Sequence, residues 1–514
     1  MAPQAHPHQS TENCPMSEVR RGVIRITTNY GRLFSTLAIG LALVPIQLAW
    51  LGTNGFGLLM AVGATVGLAA MLRDIIRHSM VRELGAVWHL AIGADATPED
   101  REHFRSVYAA AFLLCLGVAV IIGLIFVGFA ALLQNAIWPF EEVPEVYRKG
   151  GLWILISEGI GTMLLVILAP AYNMYVVAER FLANNVWYTL KRVGYLVSAI
   201  VLFSVLGTSN VEMSLILYGV CSAGLWIIVL FSAVTMIMIQ MPLTRPHLGK
   251  ANWSAIRGIA GTFGWNGGVI TAMNLHERIG LWIMLGTFGL WGSTVFALAL
   301  RLVAYVRMLT LGLSFGLDAV SARLTTSATG HENEVSSGTL KSVVHHSTRL
   351  HGYVAFPAAM TVFLLAEPLL RIWVGRTTTD PDPETGRAVI ASAAALVQIM
   401  VFGMASRAIA DGWMKILYGA GHIKRYAPII LAGGVANPLI TFALIYTLPE
   451  QTSYQGAAWG FSFSIVIAHL LLLPAVGAAR LGTSWAQMLG ALWRPFWLAA
   501  IACVVYLIAL TSTA

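Results

Sequence analysis

Three charges stand four residues apart in an otherwise apolar stretch at 396–425: Arg407, Asp411 and Lys415. On a helix that spacing gathers them into an arc of about 80°. The stretch ends in a glycine break and a basic patch, Gly419, Gly421, His422, Lys424 and Arg425. A charge at mid-bilayer costs about 2.5–3.5 kcal/mol on insertion scales. The stripe is therefore expected to face a wet cavity or a partner helix rather than lipid. Other charges fall inside apolar runs: Arg278, Arg301 and Arg307, with Glu158, Glu277 and Asp318. A guanidinium offers a planar fork of donors that suits phosphate oxygens, and the carboxylates are its natural partners within a bundle. No GxxxxGK[ST], HExxH or GxSxG motif occurs, so neither ATP hydrolysis nor these catalytic chemistries is expected.

These charges need helices to hold them. The chain has 514 residues, 57% of them hydrophobic and 11% charged, with a mean hydropathy of +0.73. A soluble domain carries about 25% charged residues. The deficit, with repeated apolar runs of membrane-spanning length, predicts an all-α polytopic membrane protein. Four dispersed cysteines (Cys14, Cys115, Cys221, Cys503) argue for neither a disulfide framework nor a zinc site, and the His345-His346 pair sits in a polar segment without further ligands. No cofactor and no metal is expected.

In chain order, residues 1–21 read as a polar, disordered tail rather than a cleavable signal. Spans are expected at 31–51 and 56–72; the extension of the second, at 73–90, is amphipathic and rich in Arg, which suggests a helix on the cytoplasmic face. Four further spans follow, at 106–133, 151–177, 186–206 and 213–240. A Pro-marked linker at 241–253 separates a first six-helix bundle (22–240) from a second (254–480). The second has spans at 255–288, with a kink at Gly267-Gly268, and at 291–313, 352–373, 388–417, 427–447 and 456–478. A polar loop covers 323–349 and an outer loop 375–387. Residues 481–514 add a thirteenth helix to the twelve of the core. Most of the 32 Lys and Arg residues fall on the side of the N-terminus, counting Arg180, Lys191 and Arg192 as the loop between spans four and five. This positive-inside bias predicts a cytoplasmic N-terminus and accounts for the net charge of +8 without a nucleic-acid partner. An alternative parse makes His276-Glu277-Arg278 a loop, but it spoils that bias.

The stretch Leu43-Val-Pro-Ile-Gln-Leu-Ala-Trp-Leu-Gly-Thr-Asn-Gly-Phe-Gly57 resembles the first-helix exit of the Wzx-type polysaccharide flippases, within the superfamily of multidrug and oligosaccharidyl-lipid exporters. Residues 280–301 are similar to that family's helix seven to eight passage. Leu417-Tyr-Gly-Ala-Gly-His-Ile-Lys424, Asn437-Pro438 and Gly456-Ala-Ala-Trp-Gly460 are similar to its helices ten to twelve. The resemblance covers about 21–481. Two departures stand out: the carboxylate Glu277 is flanked by His276 and Arg278, and a thirteenth span is present. The resemblance implies two six-helix bundles around a central cavity that opens to one side of the bacterial inner membrane at a time. It implies a lipid-linked oligosaccharide on undecaprenyl diphosphate as cargo, membrane lipid as surroundings, and a polysaccharide polymerase or glycosyltransferases as partners.

Under that reading Arg301 and Arg407, nearest mid-membrane, line the cavity and bind diphosphate or acidic sugars. Arg278 and Arg307 assist or snorkel to the surface, Arg32 makes first contact or anchors topology, and Lys415 sits near the boundary. Glu158, Glu277 and Asp411 are candidates for a coupling ion, with ion pairing to arginine as the plainer role. Two other functions compete. A small-molecule exporter of the same superfamily should favour carboxylates, yet Arg278, Arg301, Arg307 and Arg407 match Glu158, Glu277, Asp318 and Asp411 in number. A membrane polymerase or ligase needs a sizeable outer loop, and the longest here is about 134–150.

Overall fold

The computed structural model describes residues 15–93, 95–208, 210–261, 264–327, 333–379 and 383–513. Among these every regular element is a helix. The first half contains α1 (Pro15–Ile92), α2 (Pro98–Gln134), α3 (Glu145–Ile167), α4 (Ala169–Val177), α5 (Phe181–Leu206) and α6 (Val211–Gln240). Two short 3-10 turns cross the linker. Then follow α7 (Trp253–Gly261), α8 (Gly264–Leu311), α9 (Leu317–Ser327), α10 (Asn333–Leu364), α11 (Ala366–Thr379), α12 (Pro383–Gly419) and α13 (Ile423–Thr447). The chain ends in α14 (Gly456–Ile465), α15 (Leu473–Gly477), α16 (Trp485–Gly490) and α17 (Trp493–Thr513).

Two of these helices are too long to be one crossing. The 78 residues of α1 would reach about 117 Å if straight, against a hydrocarbon core of about 30 Å. Each turns back at a glycine in the left-handed half of backbone space: Gly52 (φ 69°) in α1 and Gly289 (φ 62°) in α8. A residue with a Cβ is strained there, which is why glycine stands at both turns. The reversal in α8 is seen directly. Glu277 and Arg307 would lie about 45 Å apart on a straight helix, yet their side chains meet at 3.0 Å. Ten helices are long and apolar enough to cross a membrane, and the bent pair Leu340–Leu364 and Ala366–Thr378 makes eleven. Counting the two turned-back helices twice gives thirteen crossings among the described residues, so the chain is a multi-pass membrane protein.

Several expectations need correction. Residues 73–92 prolong the second arm of α1, as an extension of that span, but their apolar face is packed against α2 rather than laid on a membrane surface. Ile76, Met80, Leu84, Trp88 and Ala91 repeat at helical spacing and are buried, with Trp88 against Phe104 and Met80 against Cys115 on α2. The single span expected at 151–177 is two helices broken at Leu168, just before Pro170. Gly267-Gly268 lies within unbroken helix, three residues into α8; residues 262 and 263, between α7 and α8, lie outside the described residues. Lys191 and Arg192, counted with the loop charges although they fall in the span expected at 186–206, lie ten residues inside α5. The loops expected at 323–349 and 375–387 are mostly helical, within α9 to α12; 328–332 and 380–382 lie outside the described residues. Of the disordered tail expected at 1–21, residues 15–21 are helical, within α1, and 1–14 lie outside the described residues.

Packing ties the two halves together at the turns. Ser293 Oγ donates to the Gly57 carbonyl at 2.8 Å and Thr294 Oγ1 to the Thr53 carbonyl at 2.7 Å. A Cβ built on Gly57 would run into the backbone carbonyl of Leu290, which cannot swing aside as a side chain could. Gly57→Ala should therefore destabilise the protein by about 1–3 kcal/mol, the usual penalty of overpacking. The control is Gly63→Ala on the same arm, where an added Cβ meets nothing within 4 Å. Thermal unfolding in detergent checks the pair: Gly57→Ala should lower the midpoint, and Gly63→Ala should hold it or raise it slightly.

Candidate functional site

Four of the sequence-singled charges come together in the second half. Arg307, on the returning arm of α8, donates from Nε to Asp411 Oδ2 at 2.6 Å and from Nη1 to Glu277 Oε1 at 3.0 Å. Arg407 reaches the same two carboxylates, Asp411 Oδ1 at 3.4 Å and Glu277 Oε1 at 3.5 Å. The i, i+4 spacing on α12 makes the Arg407–Asp411 pair local, whereas Glu277 and Arg307 arrive from the two arms of α8. Two cations thus share two anions, and the group is neutral. Its Arg407 member is buried, with 3% of its side chain exposed. Behind it His276 and His469 are fully buried, their ring centroids 5.6 Å apart, and Ser464 Oγ is 3.2 Å from His276 Nδ1. His469 lies in a π-helical turn, Val466–Leu472, that interrupts the last core span.

Arg301 shares no partner with Arg407 among the described residues. The Arg407 guanidinium is committed to Asp411 and Glu277. Arg301 is exposed, touches Met60 Sδ at 3.9 Å and makes no ion pair among the described residues. It lies within electrostatic reach of Arg192, Arg278 and Tyr218. Arg278 donates to Asn274 Oδ1 at 3.0 Å and points Nη1 at the Gly63 carbonyl, 3.5 Å away on α1. Arg278 in turn is in reach of Glu277, Asp74 and Arg73, and Lys191 of Glu158, Arg73 and Arg192. Five cations from α1, α5 and α8 therefore act on one another: Arg73, Lys191, Arg192, Arg278 and Arg301. Arg73 has Asp74 at 2.8 Å.

Of the other expected residues, Glu158 and Arg32 border the second group and Lys415 stands apart. Glu158 accepts hydrogen bonds from Tyr195 Oη at 2.9 Å, Trp226 Nε1 at 3.2 Å and Ser222 Oγ. Lys191 Nζ lies over the Trp226 ring, 2.8 Å from its centroid. Arg32 sits over Tyr188, 5.3 Å from the ring centre. Lys415 pairs with Asp318 at 3.4 Å and does not join Arg407 and Asp411, so the stripe of three divides. Residue reading missed Arg73, Lys191 and Arg192. The signal was present for the last two, a double cation ten residues into a 26-residue helix of high hydropathy.

No family model matches the chain, and no curated protein sequence does either. Solved structures do match. An inward-facing multidrug resistance MATE family transporter of the MOP superfamily aligns with a TM-score of 0.64 at 13% identity, over 88% of this chain and 94% of that one. Lipid II flippase MurJ in an inward closed conformation aligns with a TM-score of 0.62 at 10% identity, over 95% of this chain and 93% of that one. A MOP superfamily transporter from Pyrococcus furiosus, described as having a binding pocket of reverse polarity, gives 0.57 at 13% identity, over 89% and 95%. At such identities the likeness is one of architecture, and these neighbours are transporters and flippases rather than enzymes. Over almost its whole length, this multi-pass membrane chain has the fold of the MOP superfamily transporters.

Proposed function

We propose that this protein is a flippase that moves an oligosaccharide linked to undecaprenyl diphosphate from the inner to the outer leaflet of the bacterial inner membrane, with its N-terminus in the cytoplasm. The observation that carries the reading is the set of cations contributed by both halves, of which Arg278 and Arg301 lack an ion-pair partner among the described residues. Uncompensated guanidinium groups are costly inside a membrane protein, and an anionic ligand is what offsets that cost. A diphosphate fits because each of its oxygens can accept from a planar donor fork. The surrounding apolar helices leave the lipid tail in the bilayer while the head group passes between the halves, 22–240 and 254–480. Alternating access then needs only rigid movement of one half against the other about the junction at Gly57 and Ser293. Polysaccharide polymerase and glycosyltransferases are the partners this cargo requires.

A deletion strain tests it. Lipid-linked oligosaccharide should accumulate in the inner leaflet, measured by mass spectrometry of extracted lipids and by failure of an outside probe to label the glycan. Unchanged lipid-linked sugar together with raised sensitivity to cationic drugs would replace this reading with that of a small-molecule exporter.

A further inference from the structure

The segment after the core spans builds a pocket that the transport reading does not use. Residues 482–492 fold back against the first turns of α10. Thr483, Gln487, Gly490 and Ala491 face Lys341, Ser342, His345 and His346 across a cavity of about 570 Å³. The fold-back is fixed from both sides. Ser484 and Gln487 cap the start of α16 reciprocally, Trp485 Nε1 donates to the Leu471 carbonyl at 3.1 Å, and Gly352 packs against Leu492 and Pro495. The small residues Gly490 and Ala491 keep one wall from filling the space.

The lining has one sign of charge. Among the described residues Lys341 makes no ion pair and no carboxylate lines the cavity. His346 is held by the Ser342 carbonyl at 2.8 Å, and His345 stands perpendicular to it with ring centroids 6.0 Å apart. Hydroxyl and amide groups of Ser342, Thr483 and Gln487 complete the polar rim. Exposed apolar groups adjoin it along the helices that frame it: Leu350 on α10, and Trp493 and Trp497 on α17. A basic, hydroxyl-lined hollow at the end of a span, continuous with lipid-facing apolar surface, matches an amphiphile with an anionic head.

We propose that this pocket binds the phosphate head group of an anionic phospholipid, with the acyl chains lying along α10 and α17. The proposal is independent of what the protein transports. Lys341 supplies the fixed charge, and the Ser342 hydroxyl and the Gln487 amide nitrogen the neutral donors, while Thr483 Oγ1 donates to Gln487 Oε1 at 3.0 Å and orients that amide. The chains account for the apolar side that a free phosphate would leave unused.

The test uses full-length protein in detergent, titrated separately with phosphatidylglycerol, phosphatidylcholine and inorganic phosphate. Bound lipid is counted by native mass spectrometry on the folded species and stability is read by thermal unfolding. Phosphatidylglycerol should bind and raise the midpoint, while phosphatidylcholine and inorganic phosphate should not. Lys341→Gln should weaken phosphatidylglycerol binding about fivefold, the loss of one basic contact near a membrane surface. Lys424→Gln, a cation that does not line the pocket, should leave it unchanged. Equal responses to the two lipids, or a Lys341→Gln protein that binds like the unaltered one, would overturn the proposal. An equal response to inorganic phosphate would overturn the lipid as the source of the phosphate.

Discussion

Asp411→Ala is expected to be among the most destabilising single substitutions in the chain, by about 3–5 kcal/mol, because it strands buried guanidinium groups. In the intact protein Asp411 receives Arg307 Nε at 2.6 Å and Arg407 Nε at 3.4 Å. Without it, two cations share Glu277 alone, and Arg407, with 3% of its side chain exposed, cannot turn to water. The double variant Arg407→Ala with Asp411→Ala restores the charge balance, leaving Arg307 on Glu277, and should recover part of the loss. The contrasting case is Lys415→Ala. Its pair with Asp318 is 3.4 Å long and half exposed on the lysine side, so its removal should cost about 1 kcal/mol at most. Thermal unfolding of the purified variants gives the ranking directly. If Asp411→Ala unfolded no earlier than Lys415→Ala, the shared-carboxylate network would not be what holds α8 to α12.

The membrane-spanning plan is legible in the chain because it rests on local chemistry. Apolar runs of the right length mark spans, and Gly52 and Gly289 stand where two runs meet with no polar loop between them. The same locality limits the reading. Arg407 and Asp411 can be paired from their spacing, but the second anion, Glu277, comes from a helix 130 residues away and the stronger cation, Arg307, from its returning arm. Nothing in the stripe of three announces that Lys415 turns to Asp318 instead. Residues 73–92 carry Arg73, Arg77 and Arg82, which suggests a surface helix. Their apolar face at 76, 80, 84 and 88 is covered by α2, and only tertiary packing reveals that. Lys191 and Arg192 passed for loop residues because charge lowers a hydropathy window, even though the helix runs on through them. Charged residues inside spans are thus where pattern reading is least reliable and where function concentrates.

Arg301→Ala is expected to separate transport from stability, the opposite of Asp411→Ala. Arg301 makes no ion pair among the described residues, and its one side-chain contact of hydrogen-bond type is a soft one, Met60 Sδ at 3.9 Å. Removing the guanidinium leaves no partner unsatisfied, so expression and unfolding midpoint should stay near those of the unaltered protein. If the cations at the junction receive a diphosphate, losing one charge-assisted hydrogen bond removes about 1.5–3 kcal/mol of binding, a ten- to hundredfold fall in flipping at subsaturating cargo. Arg301→Lys keeps the charge but loses the fork, and should fall between the two. Arg301→Glu places an anion within reach of Arg192 and Arg278, occupies their charge, and should abolish transport while still folding. Flipping of a fluorescent diphosphate-linked sugar in proteoliposomes, with complementation of the deletion strain alongside, distinguishes these cases. Full activity in Arg301→Ala would remove the anion-binding role from this group of cations. Full activity in Arg301→Glu would exclude anionic cargo at the junction altogether, because a carboxylate there repels phosphate whatever its route through the membrane.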